Sequence, residues 1–414
     1  MRLQRINIYY PAYLRQFYAS QPDLTSMSYA TQHAALMDDC YIWSDFWSVA
    51  MSRFGYETDE VVANVEPMQR RWARERDVRY NESNWLFEIT RAQVKAFQPQ
   101  ILFVSDYATF SAAFLRRLKA EVPSIKLVLG WCGAPYRDAS VFHEYDMVLC
   151  CIPELVEHFR EQGHVSYHMN HAFSPRVLQQ LNSEASPNVD FAFMGSIVKG
   201  NQFHLQREKL LLDLIDKTDL QLWADVAQTT PRERRQVAVR QLAYDAVYAA
   251  QRVGVPRTVL KATPLVQKIT TWRERPQLSP DVDARLALRA GPPLFGVDMF
   301  QQLHDTRVAL NTHIDISPIS ASNVRLFEAT GVGTCLLTDW KENMPALFEP
   351  DKEAVTYRDA RECADKVRYL LEHDEERRAI AEAGQRRTLR DHTYTQRAEQ
   401  LDAIVRAHLG NGKP

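Results

Sequence analysis

The residues best placed to do chemistry lie together in Ser320 to Asp339, SASNVRLFEATGVGTCLLTD. Ser320, Ser322 and Asn323 are the kind of small polar residue that accepts a hydrogen bond from the free N–H groups opening a helix. Val324, Leu326 and Phe327 then follow helical spacing, with Arg325 and Glu328 three apart on one face. Gly331 and Gly333 would stop this helix, because Gly tolerates the left-handed turn a helix end needs. Thr334 to Thr338 reads as a buried strand ending in Asp339. A helix start offers partial positive charge and unpaired donors, which suits a phosphate. Arg325 adds a cation near that start, and Glu328, one turn on, can accept from two sugar hydroxyls. Donors for a diphosphate beside an acceptor for a ribose diol describe a nucleotide site.

The elements that must position these residues are bounded by composition. A chain of 414 residues favours two or three domains. With 45% hydrophobic and 25% charged residues it reads as globular rather than disordered. A net charge of −2 gives no overall field toward nucleic acid or an anionic membrane. No apolar run approaches the ~18 residues of a membrane span. The start MRLQRINIYYP lacks the apolar core and cleavage site of a secretory signal. The six cysteines form no CxxC pair, and four sit in or beside apolar strand-like runs, which reads as reduced core thiol in a cytosolic protein.

Residues 1–178 read as a first α/β unit. Strands are expected at Arg5–Tyr10, Thr58–Asn64, Gln100–Val104, Ile125–Leu129 and Asp146–Cys151, with helices at Trp85–Phe97, Phe110–Glu121 and Glu154–Gly163. Such alternation indicates a parallel, doubly wound sheet. Ligands bind outside the carboxyl ends of such strands, which points to Tyr10, Asp106, Trp131 and Gly133. Pro11 to Gly55 is dense in aromatics, and its second half from Ala35 has helical spacing. It is expected to be a helix buried against the sheet, the alternative being a wall that stacks on a sugar ring or lipid tail. His164, His168 and His171 fit neither a helix-borne HExxH nor a zinc ribbon, so no metal is expected there.

A polar, Pro-containing linker, Ser174 to Pro187, leads to a second α/β unit over 186–390. A strand at Val189–Met194 should end in a tight turn at Gly195–Ser196, with Lys199 and Arg207 as cations within reach. Thr230 to Leu294 reads as a helical insertion carrying Arg257, Lys261, Lys268, Arg273 and Arg275. Its Asp281-Val282-Asp283 is a DxD in the setting of a helix's acidic first turn, not of a metal-binding strand-end loop. Strands at Leu220–Ala224, Arg307–Asn311 and Ala354–Tyr357 complete the unit, and residues 391–414 form a last helix and tail.

SNVRLFEATGVGTCLLTD, then MPALFEPDKEAVTYRDARECADKVRYLLEHDEERRAIAEAG, then HTYTQR, resembles the C-terminal half of the spore-maturation (CgeB-like) family within the group-1/group-4 glycosyltransferases. The resemblance is strongest over about 308–397. It implies a GT-B fold: two Rossmann-like, doubly wound domains facing across a cleft, with a C-terminal helix from Tyr394 crossing back to the first. It implies that Glu328 binds the donor ribose and that Arg325 and the N–H groups near Asn323 bind its diphosphate. Gly195–Ser196 would then lie against the donor, and Lys199 and Arg207 would add charge. Retaining members carry Glu-x7-Glu, whereas here Ser320 and Ala321 stand where the first glutamate would be, so retention does not follow.

The expected reaction moves a sugar from a nucleotide diphosphate sugar to a hydroxyl acceptor (a glycan, polysaccharide, protein or small molecule) without a metal or other cofactor. An inverting reaction needs a base on the first domain. Asp106, ending a central strand, is the first candidate and His171 the second. The rivals are a non-catalytic nucleotide- or glycan-binding module and a sugar-nucleotide hydrolase or epimerase. The expected setting is cytoplasmic, with no nucleic acid partner and no transmembrane segment, leaving room for peripheral membrane contact.

Overall fold

Short aliphatic runs buried on both faces make the centre of each of two sheets. The structure, a computed structural model, describes residues 1–136, 138–198, 204–226, 229–253 and 280–410, together with 266, 269, 272 and 275–278. Lys199, Arg257, Lys261, Lys268 and Arg273 lie outside the described residues.

The first sheet comprises β1 (Arg2–Asn7), β2 (Glu57–Val62), β3 (Ile101–Val104), β4 (Leu127–Trp131), β5 (Met147–Cys150) and β6 (Ser166–His168). Its order is β2-β1-β3-β4-β5-β6, and every pair is parallel. All residues of β3, β4 and β5 are buried, as strands covered on both faces must be. The covering helices are α1 (Pro11–Ser20), α2 (Tyr29–Asp38), α3 (Phe46–Ser52), α4 (Glu66–Glu75), α5 (Trp85–Phe97), α6 (Ala112–Glu121) and α7 (Pro153–Glu161).

The second sheet begins with β7 (Val189–Ile197), α8 (Leu205–Ile215), β8 (Gln221–Val226) and α9 (Pro231–Arg252). It continues through α10 (Ala284–Arg289), β9 (Ala290–Gly291), α11 (Gly296–His304), β10 (Thr306–Asn311), α12 (Arg325–Gly331) and β11 (Cys335–Asp339). Then come α13 (Met344–Leu347), β12 (Val355–Tyr357), α14 (Ala360–Glu372), α15 (Asp374–Asp391) and α16 (Tyr394–Gly410). The order is β12-β11-β10-β7-β8-β9, again all parallel. Strand order reverses between β1 and β3 in the first sheet and between β7 and β10 in the second. Such a reversal opens a crevice at the carboxyl ends of the two strands that part.

Three local expectations are corrected. The helical spacing from Ala35 to Gly55 is split into α2 and α3, because Cys40, Ile42 and Ser44 all have positive φ (56°, 52° and 41°). The aromatics of this segment are mostly core: Trp43, Phe46 and Trp47 pack under the first sheet, and Tyr13 stacks on Tyr41 at 3.6 Å. The turn expected at Gly195–Ser196 is strand, since β7 keeps pairing with β8 as far as Ile197. Ser320, Ser322 and Asn323 do not cap a helix. α12 starts only at Arg325 behind Val324, without a side-chain cap. The polar side chains instead tie the preceding loop together: Ser322 to Ser317, and Asn323 to Asn311 and Thr312.

Asp283 accepts from Arg285 N and so opens α10, while Asp281 accepts from Thr229 N and pairs with Arg234. The helix-start expectation for this DxD therefore agrees with the fold. α9 opens on a full capping box, Thr230 with Glu233. Among the described residues no helix is long and apolar enough to cross a membrane.

α16 returns to the first lobe as expected. Tyr56 Oη donates to Asp402 at 2.7 Å, Gln400 donates to His168 O at 2.9 Å, and Arg397 Nε donates to Asn170 O at 3.1 Å. Tyr394 packs its ring against Phe46 and Trp47. The lobes also meet at Gly331, at the end of α12, where the Phe173 ring leaves no room for a side chain. A Cβ would lie 2.4 Å from it.

Gly to Ala inside a helix ordinarily gains up to ~1 kcal/mol. Gly331→Ala should do the reverse and lower the unfolding free energy by about 1–3 kcal/mol, read as a lower urea midpoint, since Phe173 must move out of a packed interface. An unchanged or raised midpoint would show that the lobes do not close on this residue.

Candidate active site

At the reversal of the second sheet, the carboxyl ends of β7 and β10 are bridged by one side chain. Arg207, on the first turn of α8, is buried; its Nη1 donates to Ser196 O and its Nη2 to Thr312 O, each at 2.8 Å. Burial pushes its pKa down to about 10, against the opposing charge of Asp339, so it stays a cation. The sequence placed Arg207 beside a donor; the fold makes it the strut between the two strand ends. Gly195 lies under the Phe193 ring, which faces the Arg207 guanidinium at 5.6 Å. The N-terminus of α8 is closed by a carboxylate, Asp315 Oδ2 accepting from Leu205 N at 2.9 Å.

The loop after β10 carries a residue that sequence reading passed over. His313 has its side chain fully buried, with Nδ1 at 2.7 Å from Asp339 Oδ1 and its backbone N donating to the same oxygen at 3.1 Å. Burial alone would raise the Asp339 pKa, but His313 and Lys341 hold it below the ordinary carboxylate range. Lys341 Nζ lies 3.4 Å from Asp339 Oδ2 and donates to Ser317 O and Pro318 O. A signal for this pair existed. β10 and β11 are parallel neighbours with Asn311 opposite Thr338, so residues just beyond them must meet.

Asn323 donates to Asn311 Oδ1 at 2.7 Å. On α12, Arg325 Nη1 lies 2.9 Å from Glu328 Oε2 and 2.9 Å from Met299 Sδ. The Arg325–Glu328 contact is an ion pair without an aligned hydrogen bond, so Oε2 keeps its acceptor capacity. Burial raises the Glu328 pKa against the pull of Arg325. The two residues expected to hold ribose and diphosphate thus hold each other here. Four buried polar atoms around this crevice have no hydrogen-bond partner among the described residues: Arg207 Nε, His313 Nε2, Asn323 Oδ1 and Glu328 Oε2.

The two first-lobe candidates differ in setting. Asp106 follows β3, at the reversal of the first sheet, and its Oδ1 accepts from Ala108 N and Thr109 N at 2.7 Å each. It therefore caps a turn with one oxygen. His171 sits against Trp43 and Trp131, 5.8 and 5.2 Å between ring centroids. Burial first, and the Arg397 charge second, push its pKa down to about 4, so it is neutral at physiological pH. Its Nδ1 has no partner among the described residues. Tyr10, exposed at the end of β1, has its pKa raised by burial of its hydroxyl and by Asp225 of the second lobe. Trp131 is buried as the last residue of β4, and Gly133 lies against Cys151 Sγ.

Beside these, Asp39 crosses between lobes. Its carboxylate lies at the start of α11, where a Cβ on Gly296 (φ +54°) would stand 2.1 Å from Oδ2, and it accepts from Tyr13 Oη at 2.8 Å. Burial lifts its pKa to about 6 despite those donors.

A glycosyl transferase-like family model matches residues 176–403, more than half of the chain and the whole of the second sheet. The chain belongs to this glycosyl transferase-like family, and its class of chemistry is that of a glycosyltransferase. Its two parallel six-stranded sheets also superpose on solved GT-B glycosyltransferases over essentially their full length. Anabaena Alr3699/HepE, solved in complex with UDP-glucose, matches with a TM-score of 0.52 and 11% identity over 98% of this chain and 100% of that one. Sucrose-phosphate synthase from Thermosynechococcus elongatus matches with a TM-score of 0.50 and 10% identity over 100% of both chains. A glycosyltransferase from Rickettsia africae ESF-5 matches with a TM-score of 0.50 and 9% identity over 99% of both. At these identities the likeness shows the fold, which is GT-B. No curated protein matches the chain.

The elevated Asp39 pKa carries a pH signature. Its folded value, about 6, exceeds the ordinary 3.8 of an aspartate, so the folded protein binds the extra proton. The stability this contributes is present below the unfolded pKa and is lost as pH rises through about 6. Asp39→Asn should therefore raise the unfolding free energy read from urea melts at about pH 7.5, by on the order of 1 kcal/mol, and the gain should fade toward about pH 4. A gain independent of pH would mean that the carboxylate charge is not what the interface opposes.

Proposed function

We propose that this protein transfers a sugar from a nucleoside diphosphate sugar, a UDP-sugar in the first instance, to a hydroxyl acceptor without a metal. The observation that carries this is the group of buried polar atoms without a hydrogen bond at the β7–β10 crevice, Arg207 Nε, His313 Nε2 and Asn323 Oδ1, beside the Glu328 carboxylate that is held only by an ion pair. Buried polar atoms are usually satisfied, so such a cluster suits a polar ligand. The Anabaena neighbour crystallised with UDP-glucose supports the choice of nucleotide.

In this reading the second unit, 186–390, holds the donor. Ser196, Arg207 and Asn323 surround the diphosphate, with Gly195 beneath. A ribose diol on Glu328 displaces Arg325 from its ion pair, and the released guanidinium turns to the diphosphate. The first unit, 1–178, holds the acceptor, and residues 391–414 tie the two together. The C1–oxygen bond of the donor breaks with its electron pair going to the diphosphate. The acceptor oxygen bonds to C1, and its proton goes to a first-lobe base. Fixed donors that tighten on the leaving charge lower the barrier. The setting is cytoplasmic, the subfamily CgeB-like, and the acceptor a glycan or other hydroxyl compound.

A panel of nucleotide sugars, with and without acceptor, tests the reaction. Nucleoside diphosphate released only with acceptor supports transfer. Release without acceptor indicates hydrolysis, and no release with any donor indicates a binding module. Glu328→Ala should weaken UDP binding by ~1–3 kcal/mol in calorimetry, the loss of hydrogen bonds to a charged acceptor; unchanged affinity would sink the ribose assignment. Asp106→Asn should leave UDP affinity intact and cut turnover ~100-fold or more, with His171→Gln the milder change. Full turnover in Asp106→Asn would remove it as the base.

A further inference from the structure

The cations around the β7–β10 crevice are already engaged. Both Arg207 Nη atoms hold backbone carbonyls, Arg325 is paired with Glu328, and Lys341 holds two carbonyls beside Asp339. The N-terminus of α8 is closed by Asp315, and α12 is a single short helix without a side-chain cap. What remains is His313. Its Nδ1 faces an ionised carboxylate, and its Nε2, buried at the strand ends, has no partner among the described residues. A carboxylate on one imidazole nitrogen fixes the ring's orientation and leaves the other nitrogen to meet whatever enters the crevice.

We propose that His313, held by Asp339, is the donor to the leaving diphosphate: it binds the terminal phosphate through Nε2–H. This rests on the donor-site reading above. As the C1–oxygen bond breaks and its electron pair passes to the diphosphate, the Nε2–H bond shortens onto the leaving oxygen. The acceptor's proton leaves separately to the first-lobe base, so His313 need not release its own during transfer. Asp339 acts through the ring and is a positioning residue. The charged and polar groups gathered near His313 are Asp339 and Lys341 from the end of β11, Arg207 from α8 with His204 just before it, Tyr357 from β12, whose hydroxyl donates to Asn311 O, and Asp315 on its own loop. Arg207 positions the residue as well, since it grips the carbonyl of Thr312, next in the chain.

The test is calorimetry of the full chain with UDP and with uridine, which lacks the diphosphate. His313→Ala should bind UDP at least 10-fold more weakly than wild type and uridine equally well, and Asp339→Asn should weaken UDP to a lesser degree, also sparing uridine. Unchanged UDP affinity in His313→Ala overturns this inference and leaves the donor site standing. Equal losses for UDP and uridine in both variants overturn it too, because the pair would then be structural. No UDP binding by wild type overturns the donor-site reading and this inference together.

Discussion

A guanidinium buried beneath the strand ends of the second lobe is the interaction on which the site depends. Taking the Arg207 charge out of water is costly unless its donors are met. They are met by Ser196 O at the end of β7 and Thr312 O just after β10, with the Asp339 charge nearby and the Phe193 ring across it. These are the two strands that part at the reversal of the sheet, so one side chain sets the width of the crevice that doubly wound sheets use for ligands. The consequences spread along the sequence. Gly195 leaves room for the Phe193 ring, whose tip would stand 3.0 Å from a Cβ there. The loop from Thr312 to Asn323 is drawn over the strand ends, where Lys341 and Asn343 fasten it: Asn343 accepts from Ala321 N and donates to Ala321 O. His313 is thereby carried to Asp339.

The lobes are joined by a different kind of contact. α16 supplies directional bonds to the first lobe, among them Tyr56–Asp402 and Arg397 to the carbonyls of Asn170 and His171. Opposite it, the turn from Asp39 to Asp45 holds Cys40, Ile42 and Ser44 at positive φ. For a β-branched residue such as Ile42 this is a strained conformation, and strain persists only where the surroundings enforce it. Here Arg176 enforces it, donating to Met37 O at 2.9 Å and pairing with Asp45 at 2.5 Å. The turn places Tyr41 against Phe295 and Asp39 at the start of α11. The aromatic segment therefore serves to seat one lobe on the other, which is why so little of it faces solvent.

Much of the fold was legible because parallel, doubly buried strands are continuous apolar runs. ILFV at Ile101–Val104 and MVLC at Met147–Cys150 can hardly be anything else. β6 and β9, of three and two residues, were too short to show a period. The break at Asp39 escaped because it is made by long-range partners, Arg176 and α11, that leave the local spacing helical. The site was half legible. Arg207, Asn323, Arg325 and Glu328 gather around the expected crevice, yet the helix start thought to organise them is a loop. Its serines and asparagine satisfy Ser317, Asn311 and Thr312 rather than N–H groups of a first turn. His313 was missed because a lone loop histidine follows no periodicity; only the strand-end rule applied to neighbouring strands would have found it.

The same geometry weighs on the choice of base across the cleft. A base must accept a proton in the transition state and tolerate the charge state that results. His171 is free to accept one, but a site that drives its pKa to about 4 also resists the imidazolium that would form, and Arg397 sharpens that resistance. Asp106 differs in its geometry. Its Oδ1 is held by two turn N–H groups, which fixes the carboxylate's direction. It also stands at the reversal of the first sheet, as Arg207 and His313 stand at that of the second. On the donor-site reading proposed above, the carboxylate oriented at one crevice and the diphosphate at the other would lie on the two sides of the bond to be exchanged. That symmetry favours Asp106 as the base and leaves His171 to shape the wall beside it with Trp43 and Trp131.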